Sequence, residues 1–231
     1  MKALPTTVDG MDALLGGGLP EGSLTLVAGA PGTMKSSLCY AILHGNAKRG
    51  KRGLYVSLEQ PRESLATQME GLGFGAAAAA DRLSLLDLSA LRERIAGAGD
   101  RGWLDVFQMY AGSIRQSFAY DLLVLDSLEA LGILARFRDP RKDHYGLFRW
   151  LRSLKATCLL IGELPPDRVA GAGGRPAEYL ADGLLHLYLE KRGEFEVQRR
   201  LRVVKMRGSQ HATSVHALVF DDALRVTRIV G

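Results

Sequence analysis

The chain has 231 residues, 47% hydrophobic and 24% charged, with 30 basic residues against 25 acidic ones and a net charge of +5. That length is ample for a buried core, and with no linker or internal repeat it predicts one domain over 1–231. Two cysteines, Cys39 and Cys158, both inside apolar runs, exclude a disulfide framework and lack metal-ligand spacing. No apolar run approaches the roughly 20 residues of a membrane-spanning helix, and the N-terminus is too polar and glycine-rich for a signal peptide. A soluble, cytoplasmic protein without a membrane partner is expected.

In chain order, Ser23 to Ala28 reads as a buried strand, followed by a glycine-rich turn and a helix from Ser36 to Lys48. Strand Gly53 to Leu58, helix Pro61 to Leu72 and strand Leu83 to Leu86 follow, then helical material between Ala90 and Tyr120. Leu122 to Leu125 is a short apolar strand, and helix Tyr145 to Leu154 leads into strand Thr157 to Ile161. Short apolar runs alternating with helices predict a parallel sheet covered on both faces. After Gly183 the pattern becomes successive strands at Leu184 to Glu190, Glu194 to Val204, Val215 to Phe220 and Leu224 to Val230. The expected fold is therefore α/β, a mostly parallel sheet flanked by helices, with antiparallel C-terminal strands. The alanine run 76–80 belongs to a loop or helix end. Glycine is enriched, at 27 residues, over the usual ~7%, which points to tight loops.

The most informative segment is Gly29-Ala30-Pro31-Gly32-Thr33-Met34-Lys35-Ser36-Ser37, between an apolar strand and a helix. It fits the phosphate-loop pattern G-x-x-x-x-G-K-[ST] in the context that pattern requires. Small residues let backbone N–H groups converge on phosphate oxygens, and the helix N-terminus adds partial positive charge. Lys35 would reach the β- and γ-phosphates, and the Ser36 hydroxyl would join a Mg²⁺ shell. Met34 stands where a glycine is usual before the lysine, so its side chain must lie away from the phosphates or narrow their nest.

Four apolar runs end in an acid: Glu59, Asp87, Asp126 and Glu163. Ligands of open α/β sheets bind beyond the carboxyl ends of the strands, where such a row suits Mg²⁺ coordination and activation of a water. Asp126 has the form of the Walker B aspartate that holds Mg²⁺, and Glu59 is the candidate general base. Asp87 is read as structural. Acids also follow strands simply because loops are polar; the phosphate loop is what singles out Asp126 and Glu59.

These residues resemble KaiC-type ATPases of the RecA superfamily. The likeness runs through Val8 to Ser23, Leu54 to Glu59, Leu123 to Ser127, Glu178 to Gly183 and Val203 to Ser209, in family order over nearly the whole chain. It covers one KaiC-type domain, whereas the clock protein has two in tandem. The resemblance implies a RecA-like core binding ATP and Mg²⁺, assembled as a homo-oligomeric ring, commonly a hexamer, with nucleotide at subunit interfaces. It also implies that Lys205 and Arg207 reach the γ-phosphate held by a neighbour. Their spacing puts them on one strand face, continuing the face of Leu201 and Val203; a solvated strand end is the plainer alternative. His211 is read as a surface-loop histidine.

Two departures bear on activity. Gln60 stands where the family often has a second glutamate, which points to slow turnover or a nucleotide-binding scaffold that no longer hydrolyses. Leu128 to Asp139 contains no serine or threonine, so clock-type autophosphorylation is not expected. A recombinase-related DNA-binding ATPase is a further alternative, with Leu164 to Pro176 as a glycine-rich contact loop carrying Arg168 and Arg175. Signalling, motility and recombination all remain open as outputs, with a protein signalling partner among them.

Overall fold

The computed structural model describes residues 2–75, 79, 81–89, 103–165, 168, 170 and 175–229. Among these, a short N-terminal hairpin pairs β1 (Ala3–Leu4) with β2 (Leu19–Pro20), around the one-turn α1 (Met11–Leu14). The body then alternates β3 (Leu24–Gly29), α2 (Lys35–Lys48), β4 (Gly53–Ser57), α3 (Arg62–Gly71) and β5 (Leu83–Asp87). Next come α4 (Trp103–Phe118), β6 (Leu122–Asp126), α5 (Leu128–Leu134), α6 (Pro140–Ser153), β7 (Thr157–Glu163) and α7 (Pro176–Leu180). The chain closes with β8 (Gly183–Arg192), β9 (Glu196–Met206), β10 (Val215–Phe220) and β11 (Leu224–Arg228).

Strands β5, β4, β6, β7, β3 and β8 lie side by side in parallel, and β9, β10 and β11 extend the sheet antiparallel. This is the expected mostly parallel sheet with antiparallel C-terminal strands. The central strands are buried on both faces, so alternate residues feed two apolar layers. On one side, Leu38 and Ile42 of α2 and Leu65 and Met69 of α3 share a layer with Val27, Tyr55, Val124 and Ile161. That layer continues under the C-terminal strands through Leu201, Val203, Leu218 and Val226, and takes in Val8, Met11 and Leu15 of the N-terminal segment. On the other side, Phe107 (α4), Leu131 (α5), Leu147 and Leu151 (α6) join Leu26, Leu54, Leu123 and Leu160.

Several boundaries differ from expectation. Helix α6 starts five residues earlier than Tyr145, because Asp139 caps it, accepting from the Arg141 and Lys142 N–H groups, and Pro140 fits its first turn. Helix α5 was not expected; the Ser127 hydroxyl caps it by accepting from Ala130 N–H. Strand β9 runs to Met206, which brings Lys205 inside it. Of the alanine run 76–80 only Ala79 is described, and residues 90–102 and glycines 171, 173 and 174 lie outside the described residues.

The expected face of Lys205 is corrected. Leu185 pairs with Val203 while Leu184 pairs with Lys205, so a β-bulge inserts Val204 between them. One extra residue reverses the parity of the strand. Leu185 and Val203 stay in the layer with α2, whereas Leu184, and therefore Lys205 opposite it, belongs to the layer with α6.

Candidate functional site

The phosphate-loop segment joins β3 to α2 at the carboxyl edge of the parallel strands. Gly29 is a packing requirement: a Cβ there would lie 2.2 Å from the Leu187 carbonyl oxygen of β8. The loop is tied to itself by Thr33 Oγ1 donating to Ala30 O at 2.8 Å, and by Lys35 Nζ donating to the same oxygen at 3.0 Å. Met34 is the N-cap of α2, at φ 68 and ψ 31, and supplies no side-chain cap. With no acid in the first turn either, the opening N–H groups of α2 and its dipole end stay available to an anion. The Met34 side chain is half-buried against the apolar layer on the α2 side.

A cavity of about 780 Å³ lies along this loop. Its lining includes Pro31, Gly32, Met34, Lys35, Ser36 and Ser37 of the loop and helix start, and Gln68, Leu72, Arg199 and Phe220 from elsewhere in the chain. Arg199, from β9, donates through Nε to Gly32 O at 3.2 Å. Lys35 is partly buried, which lowers its pKa from the usual lysine value against the pull of Glu163, Asp126 and Glu129.

The sheet register assembles the row of acids. Ser57 pairs with both Asp87 and Asp126, and Gly29 pairs with Glu163, while Glu59 follows the end of β4 by two residues. Asp126 is the hub: its Oδ2 accepts from Ser36 Oγ at 2.8 Å and from Tyr55 OH at 2.6 Å. Burial, then the charge of Asp126, pushes the Tyr55 hydroxyl well above its usual pKa, so it remains a donor. Glu59 is pushed above the usual glutamate value by partial desolvation and by Glu163, Asp126 and Glu129, with Lys35 opposing. Asp87 instead accepts from Arg62 N–H at the start of α3 and from Ser89, in line with its structural reading. Gln60 turns its amide to Ser64 and Gln68 of α3, at 3.0 Å each.

Tyr55, Glu129 and Arg199 were not singled out as site groups from sequence, and Arg175 was named only within the alternative DNA-contact loop. Glu129, in the first turn of α5, accepts from Glu163 N–H at 2.9 Å and from Arg175 Nη2 at 2.5 Å. Arg175 also donates to Glu163 O. The usable signals were a tyrosine within an aliphatic strand, which needs a hydroxyl partner when buried, and an acid three residues beyond Asp126.

Lys205 and Arg207 sit elsewhere. Met206 pairs with Gly183, and Gly183 with Thr25 at the start of β3, so both cations lie at the opposite edge of the sheet from the loop. Lys205 Nζ donates to the carbonyls of Glu178 at 2.9 Å and Tyr179 at 3.3 Å. Arg207 donates to Tyr179 O and pairs at 3.4 Å with Asp182, which Arg152 also grips in a fork at 2.7 and 3.0 Å. Partial burial and the neighbouring Arg207 lower the Lys205 pKa. His211 is half-buried in the connection between β9 and β10 and contacts the Ala212 carbonyl.

No group of three or more histidine, cysteine or carboxylate side chains among the described residues is placed to hold a metal. Ser36 Oγ and Asp126 still fit Mg²⁺, a hard ion that takes oxygen donors and usually binds through one or two protein ligands plus phosphates and water. No helix among the described residues is long and apolar enough to cross a membrane.

A mostly parallel sheet with a phosphate-type loop after its central strand defines a RecA-like, nucleotide-binding α/β protein. Comparison with known sequences makes this more particular. The family profile described as "ATPase: KaiC" matches residues 4–227, and the chain belongs to that family. A UPF0273 protein of Aeropyrum pernix is 30% identical over 94% of this chain and 90% of its own length. The circadian clock protein KaiC2 of Synechocystis is 26% identical over 94% of this chain, which spans only 38% of KaiC2. The crystal structure of a KaiC-like protein from Pyrococcus horikoshii superposes with a TM-score of 0.81 at 22% identity, over 97% of this chain and 98% of that one. That last likeness speaks for the fold.

Proposed function

We propose that this chain is one ATPase domain that binds Mg-ATP, hydrolyses it slowly and works as an oligomeric regulatory switch. The observation that carries the reading is the Ser36–Asp126 contact at 2.8 Å, directly beside an uncapped helix start and Lys35. The loop from Gly29 to Ser37 binds the phosphates, Lys35 stabilises charge on the terminal phosphoryl group, and Ser36 and Asp126 hold Mg²⁺. Glu59 accepts the proton of the attacking water. Phe220 and Leu72, which line the same cavity, face the nucleoside end. Turnover of Mg-ATP by wild type and by Lys35→Ala tests this. Equal, background-level rates would refute the enzyme reading.

Lys205 and Arg207 act in trans on this reading. Four residue steps of β3 separate Thr25 from Gly29, or roughly 13 Å at strand rise, so their own loop is out of reach. A second copy placing its loop against this edge would meet both cations, as an arginine finger meets a neighbour's nucleotide. Mixing inactive Lys35→Ala with inactive Arg207→Ala restores some turnover if the site is shared. No recovery in verified mixed oligomers would refute the trans role.

A scaffold that binds ATP without hydrolysis is the second reading, favoured by Gln60 turning to Ser64 and Gln68 and leaving Glu59 without a second acid from its own turn. Tight ATP binding with no phosphate release over hours supports it. Brisk turnover abolished by Glu59→Gln refutes it.

A further inference from the structure

A second cavity, of about 610 Å³, opens between α5, α6 and α7 on the face of the sheet away from α2. Its surface is largely apolar, with buried Leu26, Leu128 and Ala177 and half-buried Phe137. Ile133 also lines it, at 73% exposure. Its cationic or protonatable groups are Arg136, His144 and Arg175, against the single carboxylate of Glu129. A predominantly apolar cleft of this size, with a few convergent polar groups, has the form of a small-molecule site.

Arg136 is the unexplained group. It follows the C-cap of α5 at φ 51, and Phe137 N–H closes on Gly132 O at 3.0 Å. This is the Schellman closure, where glycine is usual because an L-residue is strained. The guanidinium is exposed and makes no ion pair with any described residue. Strain is thus kept at a position whose exposed side chain forms no ion pair among the described residues. His144 spends Nδ1 on Pro140 O at 2.6 Å, which leaves Nε2 for a ligand, and its ring meets Phe137 edge-on at 5.3 Å.

We propose that this cavity binds an amphipathic organic anion, an apolar or aromatic body carrying a carboxylate, sulfonate or phosphate. The acid group sits on Arg136, and the body lies against Phe137, Ile133 and Leu128. The excess of positive charge favours anions and selects against cations. The same cavity reaches the acid row, because Arg175 is shared with Glu129, whose charge acts on both Lys35 and Glu59.

The test is a fluorescence titration of the full chain with 1-anilinonaphthalene-8-sulfonate, without nucleotide, so its outcome is separate from that of the ATPase reading. Saturable one-to-one binding is expected. Arg136→Glu weakens it by at least about tenfold, the loss of one charge-assisted contact, and Lys35→Ala leaves it within about twofold. Arg136→Gly separates binding from folding: it loses affinity while its melting temperature stays level or rises. Absence of saturable binding, wild-type affinity in both Arg136 variants, or displacement of the probe by ATP would overturn the proposal.

Discussion

Met34→Gly asks whether the residue that breaks the phosphate-loop pattern obstructs the loop. Met34 holds a left-handed backbone, φ 68 and ψ 31, which costs an L-residue about 1–2 kcal/mol and a glycine nothing. Against this gain stands the half-buried side chain packed on the α2-side layer. Full burial of a methionine contributes about 1.5–3 kcal/mol, so half contributes about 1. Glycine also adds about 0.5–1 kcal/mol of chain entropy to the unfolded state. The three terms leave the variant within about 1 kcal/mol of wild type, or roughly 2–4 °C in melting temperature for a chain of this size. Binding follows from where the side chain goes. The side chain packs on the apolar layer and also lines the loop cavity; with that packing kept when nucleotide binds, the Kd for Mg-ATP changes by less than about threefold, which is below 1 kcal/mol. Calorimetric titration in excess Mg²⁺, beside a thermal melt, measures both. Tightening beyond about tenfold, some 1.4 kcal/mol, would mean that the thioether intrudes on the nest and that its packing had been misread.

Tyr55→Phe removes a buried hydroxyl that donates to Asp126 at 2.6 Å. A hydrogen bond to a charged group contributes about 1.5–3 kcal/mol, so melting falls by roughly 3–6 °C or more; an unchanged melt would show that Asp126 does not need it. Glu59 is raised above its usual 4.5, and a base must be ionised, so turnover falls on acidification through a midpoint above that value. Glu59→Gln removes that limb and costs at least about 10²-fold in rate, whereas a wild-type midpoint at or below 4.5 would count against Glu59 as the base. Gly29→Ala sets a Cβ 2.2 Å from a backbone oxygen that cannot swing aside. Overpacking of this kind costs about 1–3 kcal/mol or more, and a denaturation midpoint equal to wild type would contradict the close approach of β8.

The strands that carry the site were legible because burial on both faces leaves continuous apolar runs, as in Leu122 to Leu125. The loop was legible because its chemistry is local, nine consecutive residues between a strand and a helix. What was missed depends on contacts distant in sequence. Tyr55 looks like one more strand residue until β6 is laid beside β4, bringing its hydroxyl to a partner 71 positions away. The face of Lys205 was misjudged because a single bulged residue, Val204, reverses alternation without changing composition. The early start of α6 was readable in Asp139-Pro140, a cap followed by a first-turn proline. Helix α5, at seven residues, is too short for its periodicity to declare itself.

The acid row also says what the loop needs. Lys35 is influenced by Glu163, Asp126 and Glu129, and Glu59 by the same three acids, with Arg175 paired to one of them. A nucleoside triphosphate brings several more negative charges into this field. Repulsion between like charges at a few ångströms is worth kilocalories at a protein surface, more than one partly desolvated lysine, whose amine is bonded to Ala30 O, offsets. The proposed function supplies two sources of positive charge: a dication that Ser36 and Asp126 would hold, and the Lys205–Arg207 edge of a second copy. The first explains why nucleotide affinity should depend steeply on Mg²⁺. The second is the proposed trans arrangement, in which Lys205 and Arg207, at the far end of their own sheet from the loop, would act on the loop of a neighbouring copy.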